Sequence, residues 1–187
     1  MPSPEPLLAF GAHPDDIEFG CGAIVAREAL AGRPVHLVVC SRGESASRGT
    51  PAGRAAEARR AARLLGATLK FLRLDGDAKL EVKPAHALRL AAVIRRVRPS
   101  VILAPTLAGN QHPDHSRLGM LVRDAARLAR YGGVAELRGR PAHAVGALLY
   151  YAVTDEAEPE GQVPILVDVS SADVLEAWTA AMRALAS

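Results

Sequence analysis

Short apolar runs recur along the chain at residues 7–11, 35–40, 69–74, 101–104, 147–153 and 165–169. They are continuous rather than alternating and rich in Val, Ile and Leu, which marks strands buried on both faces. Between them lie stretches with helical spacing. One covers residues 23–30 and is closed by Gly32-Arg33-Pro34; a second, opened by Pro51, runs through residue 65 with Gly66 as its stop signal. Others cover residues 84–97, the stretch after His115 to about residue 130, and a last segment from about residue 171. This strand–helix alternation predicts an α/β domain of Rossmann-like design. It has a mostly parallel sheet and helices on both faces. No linker, repeat or compositional break divides the 187 residues, so one domain spanning 1–187 is the expected organisation.

In such a sheet, ligands bind outside the carboxyl ends of the strands. The polar clusters obey that rule. His13-Pro14-Asp15-Asp16 follows the first strand, Ser41-Arg42-Gly43-Glu44 the second, and His112-Pro113-Asp114-His115 the fourth. Segments a hundred residues apart should therefore meet over one edge.

His13 and Asp16, three apart in a loop stiffened by Pro14, offer an imidazole nitrogen and a carboxylate oxygen, both suited to zinc. His115 supplies a third donor, and three protein ligands with one open position describe a catalytic zinc site. Asp15 is left over between the ligands, placed to take a proton from bound water as general base. His112, paired with Asp114, is expected to stay protonated, to stabilise an oxyanion and to protonate a leaving amine. His36, His86 and His143 lie on a strand, a helix and a loop, and are expected to serve structure.

Composition narrows the alternatives. The formal charge is +3, with 23 basic and 20 acidic residues, and the only lysines are Lys70, Lys79 and Lys83. Basic residues are interspersed with acids and alanines, and three Phe, three Tyr and one Trp offer little for stacking bases, which argues against nucleic acid. The run Arg95-Arg96-Val97-Arg98 reads as a helix C-terminus complementing its dipole. Cys21 and Cys40 lie in apolar surroundings and are expected to be buried free thiols. No apolar run reaches the roughly 20 residues of a membrane helix. The first six residues lack signal-peptide features, so a cytoplasmic location is expected.

The two His-Pro-Asp motifs together, Ala12-His13-Pro14-Asp15-Asp16 and His112-Pro113-Asp114-His115, resemble those of the PIG-L/LmbE-like deacetylases. The likeness is greatest to the bacillithiol-pathway enzymes, through Ile17-Glu18-Phe19-Gly20-Cys21-Gly22, Ser41-Arg42-Gly43-Glu44, Arg48-Gly49-Thr50-Pro51 and Arg54-Ala55-Ala56-Glu57. It spans about residues 7–185. The resemblance implies removal of an N-acetyl group from a small N-acetylglucosamine conjugate, with Zn2+ on His13, Asp16 and His115. It further implies a base at Asp15, with His112 assisted by Asp114, and Glu44 and Arg54 touching the sugar or its aglycone. Arg54 could otherwise pair with Glu57 one turn on. Arg42 and Arg48 could grip a carboxylate such as that of malate. Homo-oligomers are common in the family.

The chain departs from the family in two places. Ala144-Val145-Gly146-Ala147 carries no basic residue before the strand that holds Tyr150-Tyr151, and the sequence ends inside the last helix at Ser187, which suggests a C-terminally shortened relative. The competing class is a metal- or sugar-binding relative that no longer turns over. A dinucleotide-binding oxidoreductase is disfavoured, since Gly20-x-Gly22 has Val25 in place of a third glycine and no acid ends the second strand at Cys40-Ser41. No G-x-S-x-G elbow exists for a serine hydrolase.

Overall fold

A computed structural model of the protein describes residues 4–109, 112–154 and 158–187. Five strands, β1 (Leu7–Gly11), β2 (Val35–Val39), β3 (Thr68–Phe71), β4 (Val101–Pro105) and β5 (Ala147–Tyr151), form one parallel sheet in the order β3-β2-β1-β4-β5. Five helices accompany them: α1 (Asp16–Leu30), α2 (Pro51–Leu64), α3 (Pro84–Val97), α4 (Pro113–Arg130) and α5 (Ala172–Arg183).

The period of two along β1 explains the layering. Leu8 and Phe10 point into a core shared with Leu90 and Ile94 of α3 and Leu118 and Leu121 of α4. Leu7 and Ala9 point the other way, toward Ile17 and Val25 of α1, Ala61 of α2 and Ala181 of α5. Both faces are thus covered, as the continuous apolar strands require.

The strand order reverses between β1 and β4, which pair directly through Leu7–Val101 and Ala9–Leu103. Connections from these two strands leave in opposite directions and open a crevice at their carboxyl ends. The first His-Pro-Asp motif follows β1 and the second follows β4. Topology alone brings them together.

Two elements differ from the expected pattern. Helix α1 begins at Asp16, seven residues before the predicted start. Gly20 and Gly22 weaken helix propensity, yet both lie inside it because tertiary contacts demand them. A Cβ on Gly20 would collide with the Tyr151 ring, and one on Gly22 would lie 2.9 Å from the Trp178 indole. Cys21 between them carries non-helical torsions, a kink in the helix. The apolar segment 165–169 is not a strand. Val163, Ile165 and Leu166 are 90, 68 and 88% exposed, so composition favoured a conformation for which no neighbouring strand supplies hydrogen bonds.

The helix ends agree with their sequence signals. Gly66 adopts φ +73 after α2, and Thr50 caps its start by accepting the Gly53 N–H at 3.1 Å. The basic run closing α3 does more than complement a dipole. Arg95 is buried and donates to the Ala129, Leu137 and Arg140 carbonyls at 2.9–3.0 Å, binding the end of α4 to the loop beyond it. His36 meets Thr68, His86 meets Asp75 and His143 meets the Pro99 carbonyl, so each has a structural partner. Both cysteines are buried and unpaired. No helix among the described residues is long and apolar enough to cross a membrane.

Candidate metal and catalytic site

Asp16 organises the site. It opens α1, and its Oδ2 turns back to accept the N–H groups of Ala12 and His13 at 2.8 and 2.9 Å, closing the loop after β1 into a tight hook. Its other oxygen, Oδ1, faces His115 Nε2 at 3.0 Å and His13 Nδ1 at 3.5 Å. Pro113 starts α4, so His115 lies in the first turn of that helix, where it projects over the end of β1. The imidazoles of His13 and His115 have centroids 5.3 Å apart, with His112 4.5 Å from His13.

The donor atoms of His13, Asp16 and His115 lie within 4.8 Å of one another. Zinc bonds of about 2.1 Å at tetrahedral angles place ligand atoms about 3.4 Å apart. The separations of 3.0 and 3.5 Å bracket that value. Two nitrogens and one carboxylate oxygen, all buried, are a donor set that fits zinc. A second group, His13, Asp77, His112 and Asp114, surrounds the far nitrogen of the same ring. His13 Nε2 lies 3.2 Å from Asp77 Oδ1 and 3.3 Å from Asp114 Oδ2. A carboxylate behind a ligating histidine fixes its tautomer and raises its basicity.

The electrostatics follow from this crowding. Burial alone would lower the His13 pKa, but its bonds to Asp114 and Asp16 outweigh that and raise it to about 10. Burial would raise Asp16, yet His115 and His13 hold its carboxyl well below the usual range. The cluster is built around positive charge at its centre.

Asp15 keeps its carboxylate apart from these contacts. It caps α1 with φ 115 and ψ −30, a positive-φ conformation uncommon for any residue but glycine and tolerated best by Asn and Asp. Arg54 Nη2 donates to Asp15 Oδ2 at 2.9 Å and to the Pro14 carbonyl at 3.0 Å. In the protein alone burial pushes the Asp15 pKa up to about 6, with the Asp16 charge adding and Arg54 opposing. Arg54 therefore positions Asp15. It does not pair with Glu57, which accepts instead from the Ser187 hydroxyl at 2.6 Å. Gly43 makes the reach possible: a Cβ there would collide with the guanidinium.

His112 is the N-cap of α4, and its Nδ1 accepts the Asp114 N–H at 3.1 Å. The hydrogen bond between His112 and Asp114 thus runs through the Asp114 backbone, with its carboxylate close by in the same cluster. The Asp114 carboxylate serves His13 and accepts the Ala78 and Leu80 N–H groups at 2.8 and 3.3 Å. Asp77 Oδ1 lies 4.0 Å from His112 Nε2. Burial and the neighbouring His13 lower the His112 pKa. With Nδ1 accepting, the neutral ring carries its proton on Nε2.

A cleft of about 520 Å³ opens over these groups, lined by His13, Asp15, Asp16, Arg54, Asp77, His112 and His115, with Phe19, Ser45 and Val153 among the residues toward its mouth. Arg42 and Glu44, expected at the substrate, do not line it. Glu44 Oε2 accepts the Arg42 and Asp77 N–H groups at 3.1 and 3.2 Å, pinning two loops together. It borders a separate pocket of about 260 Å³. Asp77 is the residue that sequence reasoning missed. Its surroundings, Asp75-Gly76-Asp77, carry an ordinary turn signal and nothing that marks a buried acid.

A curated relative is the 1D-myo-inositol 2-acetamido-2-deoxy-alpha-D-glucopyranoside deacetylase 2 of Catenulispora acidiphila, 29% identical over 216 residues, covering 92% of this chain and 71% of that protein. Another is the 4-oxalmesaconate hydratase of Pseudomonas putida, 33% identical over 138 residues, covering 67% of this chain and 53% of the hydratase. Among solved structures, a conserved protein of Thermus thermophilus superposes with a TM-score of 0.81 at 34% identity, covering 96% of this chain and 77% of that one. Residues 8–126, which hold both His-Pro-Asp motifs, match the model of the GlcNAc-PI de-N-acetylase (PIG-L) family, and the chain belongs to that family.

Proposed function

We propose that this protein is a zinc-dependent N-deacetylase that hydrolyses the acetamide of a small N-acetylglucosamine conjugate, of the bacillithiol-precursor type. The observation that carries the reading is the meeting of His13, Asp16 and His115 beneath an open cleft, with the Asp15 carboxylate free of the donor set beside them. Family membership and the amino-sugar deacetylase of Catenulispora support it. That relative acts on an inositol conjugate, so the aglycone is decided by the assay below.

His13, Asp16 and His115 would hold the zinc. When bound, zinc supplies a Lewis acid for the carbonyl oxygen and lowers the pKa of water to about 7. Asp15, fixed by Arg54, takes the proton of the attacking water and returns it to the departing amine nitrogen. His112 faces the cleft with its Nε2–H and donates to the carbonyl oxygen as charge builds there, a role suited to a neutral imidazole. Asp114 and Asp77 hold His13 in the tautomer that leaves Nδ1 as a ligand. Asp114→Asn should therefore weaken zinc binding roughly 10–100-fold. Competition against a chromophoric chelator measures this, and unchanged affinity would remove Asp114 from that role.

Zinc-loaded protein incubated with N-acetylglucosamine, its malate conjugate and its inositol conjugate tests the activity through amine release. A full equivalent of zinc with no amine from any of the three would overturn the reading in favour of a binding-only relative. A second reading, hydration of an unsaturated acid, is favoured by the 33% identity to the Pseudomonas hydratase. Loss of absorbance of 4-oxalmesaconate, in place of amine release, would establish it.

A further inference from the structure

The cleft has a gradient of exposure. Its floor is formed by His13, Asp16 and His115, at 7, 3 and 5% exposed, whereas Phe19 at its edge is 53% exposed. Single exposed apolar side chains are ordinary on protein surfaces; what sets Phe19 apart is its position. The other phenylalanines have protein partners, Phe10 in the core and Phe71 beneath the Arg59 guanidinium at 5.0 Å. Phe19 has no ring or cation partner among the described residues.

The ring is also held in register with the chemistry. Phe19 lies one helical turn after Asp15, and its N–H donates to the Asp15 carbonyl at 3.0 Å. Gly20, which follows, packs so tightly against the Tyr151 ring and the Ala152 carbonyl that no side chain fits there. Val153, two residues after Tyr151, is the other sizeable apolar residue lining the cleft among the described residues. Of the other residues lining the cleft, Ser45, Arg54, Asp77 and Thr154 are polar, and Ala46 and Ala78 are too small to form an apolar wall.

An acetyl group is small and must reach the floor for its carbonyl to meet Asp15 and His112. The group bonded to its nitrogen then lies farther out, level with Phe19. A pyranose has an apolar C–H face and a rim of hydroxyls, which matches one aromatic wall among polar ones. We propose that Phe19, on the same cleft as Val153, is the platform on which the C–H face of the substrate's pyranose ring stacks. Phe19 is thus a specificity-determining residue. The inference deepens the deacetylase reading and rests on its choice of an amino sugar.

The test separates the two. N-acetylglucosamine is titrated into zinc-loaded Asp15→Asn protein, which holds the ligand without consuming it, with and without Phe19→Ala. Phe19→Ala should weaken binding about 3–10-fold, while Phe19→Trp retains it. In the otherwise unaltered enzyme, Phe19→Ala should raise KM for N-acetylglucosamine by a similar factor with kcat within about twofold, and leave the ringless amide N-acetylethanolamine unaffected. Equal affinities with and without the ring, no binding of the sugar, or an equal loss on the ringless amide would each overturn the platform. Amine release that ignores Phe19 would sink the platform and leave the deacetylase standing. Phe19-dependent binding without any amine release would do the reverse.

Discussion

Asp15→Asn should lower turnover by roughly 10²–10⁴-fold while zinc stays bound at one equivalent. The substitution removes the proton acceptor and little else. Asparagine keeps the shape of the side chain, tolerates positive φ, and retains an oxygen for the Arg54 guanidinium. Arg54 also keeps its bond to the Pro14 carbonyl, so this buried cation is not stranded. Asp15 is absent from the donor set of His13, Asp16 and His115, which is why the metal should be indifferent to the change. Elemental analysis and amine-release kinetics on the same preparation check both halves. Activity within tenfold of the parent would deny Asp15 its role, and loss of zinc would make it a ligand.

Asp16→Ala should strip the protein of both zinc and activity. The side chain is 3% exposed and carries two duties: one oxygen faces His13 and His115, and the other accepts two N–H groups of the loop after β1. Alanine leaves those donors buried without that acceptor and takes a carboxylate away from both imidazoles. Breaking a buried charged pair from one side costs about 3–5 kcal/mol, which urea unfolding of the metal-free protein would read. Zinc content after gel filtration should fall below roughly a tenth of an equivalent, a steeper loss than removal of an outer-shell partner gives. Asp16→Asn distinguishes the duties, since its carbonyl oxygen can still accept the loop N–H groups but is a poor ligand. It should recover part of the stability and none of the metal. Full zinc occupancy in either variant would remove Asp16 from the ligand set.

Much of this arrangement is legible in the chain because the information is local. Continuous apolar runs gave the strands, proline and glycine gave the helix ends, and the two His-Pro-Asp motifs announced where chemistry gathers. What escaped was set by distant partners. The glycines of α1 argue for a loop until Tyr151 and Trp178 are seen packed against them. Segment 165–169 has the composition of a strand but pairs with no strand among the described residues. Asp77 is a turn residue by every local rule, and its contact with His13, from the loop after β1, makes it part of the site. Arg54 was expected to face either substrate or Glu57, and its target on Asp15 lies 39 positions away. Between His112 and Asp114, proximity in sequence suggests a side-chain pair, and helix geometry adds a hydrogen bond from the Asp114 backbone N–H to the His112 ring.

The backbone torsion at Asp15 narrows what descendants of this chain can become. With φ at 115, a β-branched or bulky side chain would strain the hook before any question of chemistry arose. Glutamate would keep a carboxylate but add a methylene and meet the same steric penalty. Asparagine and glycine are the cheap exits, and both abolish proton transfer. A lineage that drifts at this position should therefore lose catalysis before it loses the fold, leaving an intact scaffold with a silent centre.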